Sequence, residues 1–172
     1  GSTALGQTRE EFLRTLWPHA EQAARELGVA PEALLAQAAL ETGWGRHVMP
    51  GPDGQPSYNL FGIKADRSWD GRLVNMSTLE YKDGVAMKTR AAFRAYGSYT
   101  ESFTDYVEFL KANPRYQRAL AAASNPETFV EELQRAGYAT DPAYAAKLKR
   151  ILGSEDLAQV RAALKGASTR PI

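Results

Sequence analysis

Apolar residues recur at helical spacing near the start of the chain. Phe12, Leu13, Leu16, Trp17, Ala20, Ala24 and Leu27 share one face, and Gly28 interrupts the run. This predicts a first helix, kinked or split at Pro18 because proline brings no amide donor. Pro31 stands where a first helical residue belongs and opens the segment PEALLAQAALETGWG, a second helix. Residues 50–57, PGPDGQPS, are turn formers and predict an exposed loop.

From Trp69 to Tyr96 the apolar period shortens to that of strands. Asp83-Gly84 fits a two-residue hairpin turn, which sets a register: Lys82 faces Val85, Glu80 faces Met87, Thr78 faces Thr89, Met76 faces Ala91 and Val74 faces Phe93. Glu80 then shares the more apolar face with Val74, Met76 and Phe93, and Lys88, Arg90 and Arg94 take the other. Helical spacing resumes at Ser98, where Ser98-x-x-Glu101 reads as a capping box ahead of Tyr99, Phe103, Tyr106, Val107 and Leu110. Asn125-Pro126 starts a further helix that Gly137 ends, and Asp141-Pro142 caps another carrying Tyr144, Leu148, Ile151 and Leu152. A last helix starts near Ser154. The pattern predicts a mainly helical α+β body interrupted by one β-hairpin, a single domain over residues 8–165. Gly1-Ser2 reads as a tag remnant within a disordered lead of residues 1–7, and residues 166–172 read as a frayed C-terminus.

Composition narrows the chemistry by exclusion. A chain of 172 residues with 44% apolar and 24% charged residues is long enough to bury a core. Its net charge of +1, with acids and bases interspersed, gives no footprint for nucleic acid. Without cysteine there is no disulfide framework, thiol nucleophile or thiolate metal site. His19 and His47, too far apart for a local ligand pair, read as surface or capping residues, so no metal is expected. No segment reaches the ~20 apolar residues of a membrane span.

Glu41 is the residue that bears most on function. At ~100° per residue it falls within ~20° of Leu34 and ~60° of Ala38, on the apolar stripe of the second helix. It is also near the helix C-terminus, where the dipole is negative. Both circumstances disfavour the charged carboxylate and raise its pKa. A carboxylic acid that keeps its proton near neutrality is what a glycosidic leaving oxygen needs. The same pattern also fits a glutamate that reaches off the helix end or pairs with Arg46. Gly43-Trp44-Gly45 leaves space beside the carboxyl and brings a tryptophan to wall and dry its pocket.

A helix-borne acid followed by a hairpin lobe resembles the lysozyme-like architecture. The ordered motifs ALETGWG at 39–45, SYNLFGIK at 57–64, TLEY at 78–81, FRAY at 93–96, NPRY at 113–116 and GYATDPAY at 137–144 sharpen the likeness. Together they resemble the glucosaminidase domains of flagellar rod-associated peptidoglycan hydrolases, in glycoside hydrolase family 73, over about residues 10–152.

The resemblance implies cleavage of the β-1,4 bond between N-acetylglucosamine and N-acetylmuramic acid. Glu41 occupies the family's acid motif, and Glu80 matches its second carboxylate on the hairpin lobe. On its residues alone, Glu80 also reads as a strand carboxylate paired with Lys82 or Lys88, with Asp66, Asp70 and Asp83 as fallback helpers. Tyr138 matches a tyrosine near the acid, with a core-packing role as the alternative. Asn59 and Phe61 are expected to line the sugar groove by hydrogen bonding and stacking, and Trp69 to serve core or surface more than glycan. Gly62 reads as a point of close backbone approach.

Inversion requires carboxyls ~6.5–9.5 Å apart and double displacement ~5–5.5 Å, and a third route uses the substrate's own acetamido oxygen. A carboxylate on a hairpin favours the inverting or substrate-assisted route. The implied partners are peptidoglycan strands and flagellar rod proteins, in the periplasm, with no nucleic acid, membrane or cofactor and with the chain a monomer. The competing readings are a muramidase or lytic transglycosylase on the same polymer, and a non-catalytic wall-binding assembly module.

Overall fold

A computed structural model describes residues 8–169, with side chains described to residue 165. Helix α1 (Arg9–Leu27) opens on Thr8, whose side chain accepts from the Glu11 amide at 3.0 Å, and closes on Gly28 in the left-handed conformation. It runs unbroken through Pro18. The helix is not split there, because the lost hydrogen bond is outweighed by a face that buries Phe12, Leu13, Leu16, Trp17, Ala20, Ala23, Ala24 and Leu27.

Helix α2 (Pro31–Thr42) buries Ala33 through Ala39, nearly its whole circumference. Alanine and leucine on all sides make it the central helix. It packs against α1, α5 (Pro126–Arg135) and α6 (Tyr144–Leu152), and its C-terminal end carries Glu41 out of the core. Helices α3 (Tyr99–Ala112) and α7 (Glu155–Thr169) pack on α1 from other sides, and the short α4 (Gln117–Ala121) on α5. Ser98 caps α3, but Glu101 reaches back to the Gly97 amide at 2.6 Å, one residue beyond the expected box partner. Asn125 caps α5 as predicted. Asp141 accepts from the Ala143 amide ahead of α6 rather than capping the helix, which begins at Tyr144. Helix α7 continues to Thr169, so residues 166–169 are helical; residues 1–7 and 170–172 lie outside the described residues.

Strands β1 (Leu73–Lys82) and β2 (Val85–Arg94) form the hairpin, with every predicted pair in register. Asp83 and Gly84, at φ 51° and 78°, supply the left-handed turn that matches strand twist. Val74, Met76, Thr78 and Glu80 are half-buried, and the residues between them are exposed. The hairpin roots in the body at its base. Phe93 is buried, and Arg94, expected on a polar face, is 6% exposed. Arg94 holds Asp105 through Nη1 at 2.9 Å and sits between the Trp69 and Phe109 rings. Asp105 also accepts from the Tyr96 hydroxyl, so the buried charge is paired and hydrogen-bonded. Trp69 belongs to this root: its Nε1 donates to the Arg72 carbonyl at 2.8 Å and its ring meets Tyr96 edge-on.

Candidate active site

Between the hairpin and the helical body lies an open groove of about 690 Å³. Glu41, Gly62, Glu80, Tyr138, Thr140 and Tyr144 are among its lining residues. The volume is in the range of sites that take a small ligand or a few sugar units, ~300–1,000 Å³.

Three successive left-handed residues, Gly43, Trp44 and Gly45 at φ 57°, 60° and 86°, end α2 abruptly behind the carboxyl. The Thr42 hydroxyl accepts from the Gly45 amide at 2.9 Å and donates to the Ala38 carbonyl at 2.7 Å, which holds the turn. The hydroxyl that reaches Glu41 is that of Tyr144. Oε1 of Glu41 accepts from it at 3.3 Å, and Oε2 hangs over the backbone of Gly62. Burial pushes the Glu41 carboxyl from the usual 4.5 up to about 7. The Tyr144 hydrogen bond opposes that rise, and the negative charge of Glu80 adds to it.

Glu80 faces the same groove from β1 and has the opposite protonation preference. Its Oε1 accepts from Lys64 Nζ, not from Lys82 or Lys88, and its Oε2 accepts from the Thr140 hydroxyl at 2.8 Å. Partial burial pushes this carboxyl up, but the hydrogen bonds from Lys64 and Thr140 and the Lys64 charge outweigh it and hold the net value below the usual range. Thr140 also accepts from the Tyr81 amide at 2.8 Å, so this residue clips the hairpin to the segment joining α5 and α6. Of the other acids weighed as helpers, Asp66 lines the groove and is held low by the Ser68 hydrogen bonds, with Arg94 at 3.6 Å; Asp70 and Asp83 do not line it.

Tyr138 lies beside the acid, its ring stacked on Tyr144 with centroids 5.9 Å apart and its hydroxyl donating to the Phe61 carbonyl at 2.7 Å. The tyrosine that reaches the carboxyl is therefore Tyr144, read in the sequence as part of an apolar stripe. Asn59 borders the groove as expected, at 2% exposure, whereas Phe61 does not line it. The Asn59 amide is consumed inside the protein: it donates to the carbonyls of Ile63 and Arg94 at 2.8 and 2.9 Å and accepts from the Ile63 amide at 3.0 Å. Phe61 is 0% exposed, against Phe103 and Tyr106, and offers no face to a sugar. The pair shapes the turn that presents Gly62, which stands at φ 64°. Trp44 does not wall the carboxyl either, since its left-handed backbone sends the ring back over α1, edge-on to Phe12 and 4.5 Å beneath the Arg9 guanidinium. His19 is half-buried against Phe103 and Tyr99, and His47 is exposed and borders the groove. Among the described residues no cluster of histidines and acids is placed to hold a metal ion, and no helix is long and apolar enough to cross a membrane.

The family of mannosyl-glycoprotein endo-beta-N-acetylglucosaminidases, Glucosaminidase, matches residues 17–157. Peptidoglycan hydrolase FlgJ of Pseudomonas aeruginosa is 51% identical over 163 residues, covering 95% of this chain and 40% of that protein. The chain thus spans less than half the length of this relative. A peptidoglycan hydrolase mutant from Sphingomonas sp. A1 superposes with a TM-score of 0.84 at 44% identity, over 90% of this chain and 99% of that one. A C-terminally truncated glycoside hydrolase domain of Salmonella typhimurium FlgJ superposes with a TM-score of 0.69, at 44% identity and with the same coverage. With the fold, the groove and these likenesses in agreement, the chain belongs to the Glucosaminidase family and is a lysozyme-like glycoside hydrolase.

Proposed function

We propose that the protein hydrolyses the β-1,4 bond between N-acetylglucosamine and N-acetylmuramic acid in peptidoglycan, with Glu41 as general acid and Glu80 as the ionised helper. The observation that carries this reading is the opposed state of two carboxyls facing one groove. Burial lifts Glu41 to about 7, and Lys64 and Thr140 hold Glu80 low. Environments that push two such groups apart assign one as acid and the other as base or charge stabiliser. In the reaction the Glu41 proton passes to the glycosidic oxygen as its bond to the anomeric carbon breaks. The ionised Glu80 steadies the positive charge developing on the sugar, orients the acetamido group or activates the water that completes hydrolysis. An open groove suits a polymer, and Tyr138 is among the residues that line it. The FlgJ likenesses support a place in the periplasm, opening the wall for the flagellar rod, with rod proteins as partners of the whole protein.

Mass spectrometry of digested and borohydride-reduced peptidoglycan tests the bond. Reduced N-acetylglucosamine ends are expected. Reduced muramic ends would transfer the chain to the muramidases, and anhydro-muramic ends to the lytic transglycosylases. Equal clearing of labelled walls by wild type and Glu41→Gln would make it a non-catalytic wall-binding module.

A further inference from the structure

One turn before Glu41, on the same face of α2, the Gln37 amide is 0% exposed. A buried amide is tolerated where its donors and acceptor are matched. Its Nε2 donates to the Tyr144 hydroxyl oxygen at 2.9 Å, and its Oε1 accepts from the Tyr106 hydroxyl. Tyr144 in turn donates to Oε1 of Glu41 at 3.3 Å. The chain runs from α3 through α2 and α6 to the carboxyl.

Its direction is set by proton counting. Tyr106 is 0% exposed and its one hydroxyl proton goes to Gln37. Turned over, the amide would present NH2 to Tyr106 and strand that proton without an acceptor in the core. With Oε1 anchored there, Nε2 faces Tyr144, occupies its oxygen as an acceptor and leaves the Tyr144 proton for Glu41. The receiving atom is Oε1, while Oε2 is the oxygen over Gly62.

We propose that Gln37 is a positioning residue for the hydrolysis: anchored by Tyr106, it holds Tyr144 as a donor to Oε1 of Glu41 and thereby assigns the transferable proton to Oε2. This rests on Glu41 being the general acid. Before the reaction Oε1 is the carbonyl oxygen and accepts from Tyr144, while Oε2 carries the proton. In the reaction the Oε2–H bond breaks, the proton bonds to the glycosidic oxygen, and the electron pair left on Glu41 spreads over both oxygens. The Tyr144 bond strengthens as that charge appears, so the relay favours the transition state more than the bound substrate. The other titratable group acting on Glu41 is Glu80, and the Glu41 charge in turn acts on Tyr138. His47, Lys64, Asp66, Arg115, Asp141 and Lys147 share the groove.

The test uses Gln37→Met, which keeps length without hydrogen bonds, and Tyr106→Phe, which removes the anchor from a residue outside the groove lining. The double variant leaves no orphaned hydroxyl. Loss of a hydrogen bond to a developing charge predicts a fall in kcat of roughly 10- to 100-fold in Gln37→Met with KM little changed. Tyr106→Phe should show a smaller fall in the same direction. In both, the alkaline limb of the kcat profile should move to higher pH, because the Glu41 anion has lost a directed donor. A wild-type kcat and pH profile in Tyr106→Phe and the double variant, with only the thermal midpoint changed, would reduce Gln37 to a packing residue. Should Gln37→Met not fold, Tyr106→Phe alone decides. Glu41→Gln, run alongside, separates the two claims: activity in it overturns the acid itself, whereas its silence beside unaffected Gln37 and Tyr106 variants overturns the positioning alone.

Discussion

The backbone of Gly62 passes so close beneath Glu41 that a Cβ there would stand 2.6 Å from Oε2 and 3.1 Å from the carboxyl carbon. The residue also holds φ 64°, where a side chain is strained. Gly62→Ala therefore has to move the carboxyl or the turn. The expected result is near-complete loss of hydrolysis with a stability cost of only ~1–2 kcal/mol. Turnover and the thermal midpoint, measured together, check this; a variant with wild-type turnover would show that the position of Oε2 is immaterial.

Glu41 carries a folding cost that its replacement relieves. Its folded pKa of about 7 lies above the usual 4.5, so the native state binds the proton more tightly than the unfolded chain. Stability from this group is then present below pH ~4.5, is lost as pH rises through ~7, and is flat above. Glu41→Gln should be inactive yet more stable than wild type by ~1–3 kcal/mol at pH 8, the gain shrinking towards pH 4. Urea unfolding at both pH values reads the difference, and a pH-independent difference would contradict it.

Glu80 depends on partners outside its own strand. Without the Lys64 ammonium, the burial that already pushes this carboxyl up is less opposed, so Lys64→Met should raise its pKa. The acid limb of the kcat/KM profile should then move to higher pH, with activity recovering towards neutrality. Thr140→Val should act in the same direction and also unclip the hairpin at Tyr81, seen as faster exchange of the Tyr81 amide proton. An unchanged acid limb in both would remove Glu80 from the chemistry.

Asn59 and Phe61 are predicted to matter through folding. Phe61→Ala opens a cavity among Phe103 and Tyr106 and should cost ~3–5 kcal/mol. Asn59→Ala leaves buried carbonyls and an amide unmatched and should cost ~1–3 kcal/mol. At temperatures where Asn59→Ala stays folded, KM for soluble glycan fragments should change little; a large rise in KM at wild-type stability would restore a sugar-binding role.

The parts of this site legible in the sequence are those encoded locally. The hairpin register followed from Asp83-Gly84 and period-2 alternation, so Glu80 could be placed on the half-buried face before any contact was known. Glu41 stood out because a carboxylate on an apolar helical stripe is costly. What escaped were contacts between distant segments. Tyr144 meets Glu41 across 103 residues and Thr140 meets Glu80 across 60, and no local pattern distinguishes a hydroxyl that reaches a carboxyl from one that packs. Phe61 lies inward because its motif marks a turn that presents Gly62, and the Asn59 amide at the groove edge is spent on holding that turn. Trp44 misled because its backbone adopts the left-handed conformation that a tryptophan seldom takes. Pro18 does not split α1, because a buried face opposes its local propensity.

The most direct test follows the Glu41 side-chain carboxyl itself by carbon-13 NMR through a pH titration, with Glu41→Gln assigning the signal. A midpoint near 7 is predicted, with the Glu80 carboxyl already ionised at that pH. A Glu41 midpoint close to the usual 4.5 would contradict the central claim, since a group that has shed its proton by neutrality has none to give the glycosidic oxygen.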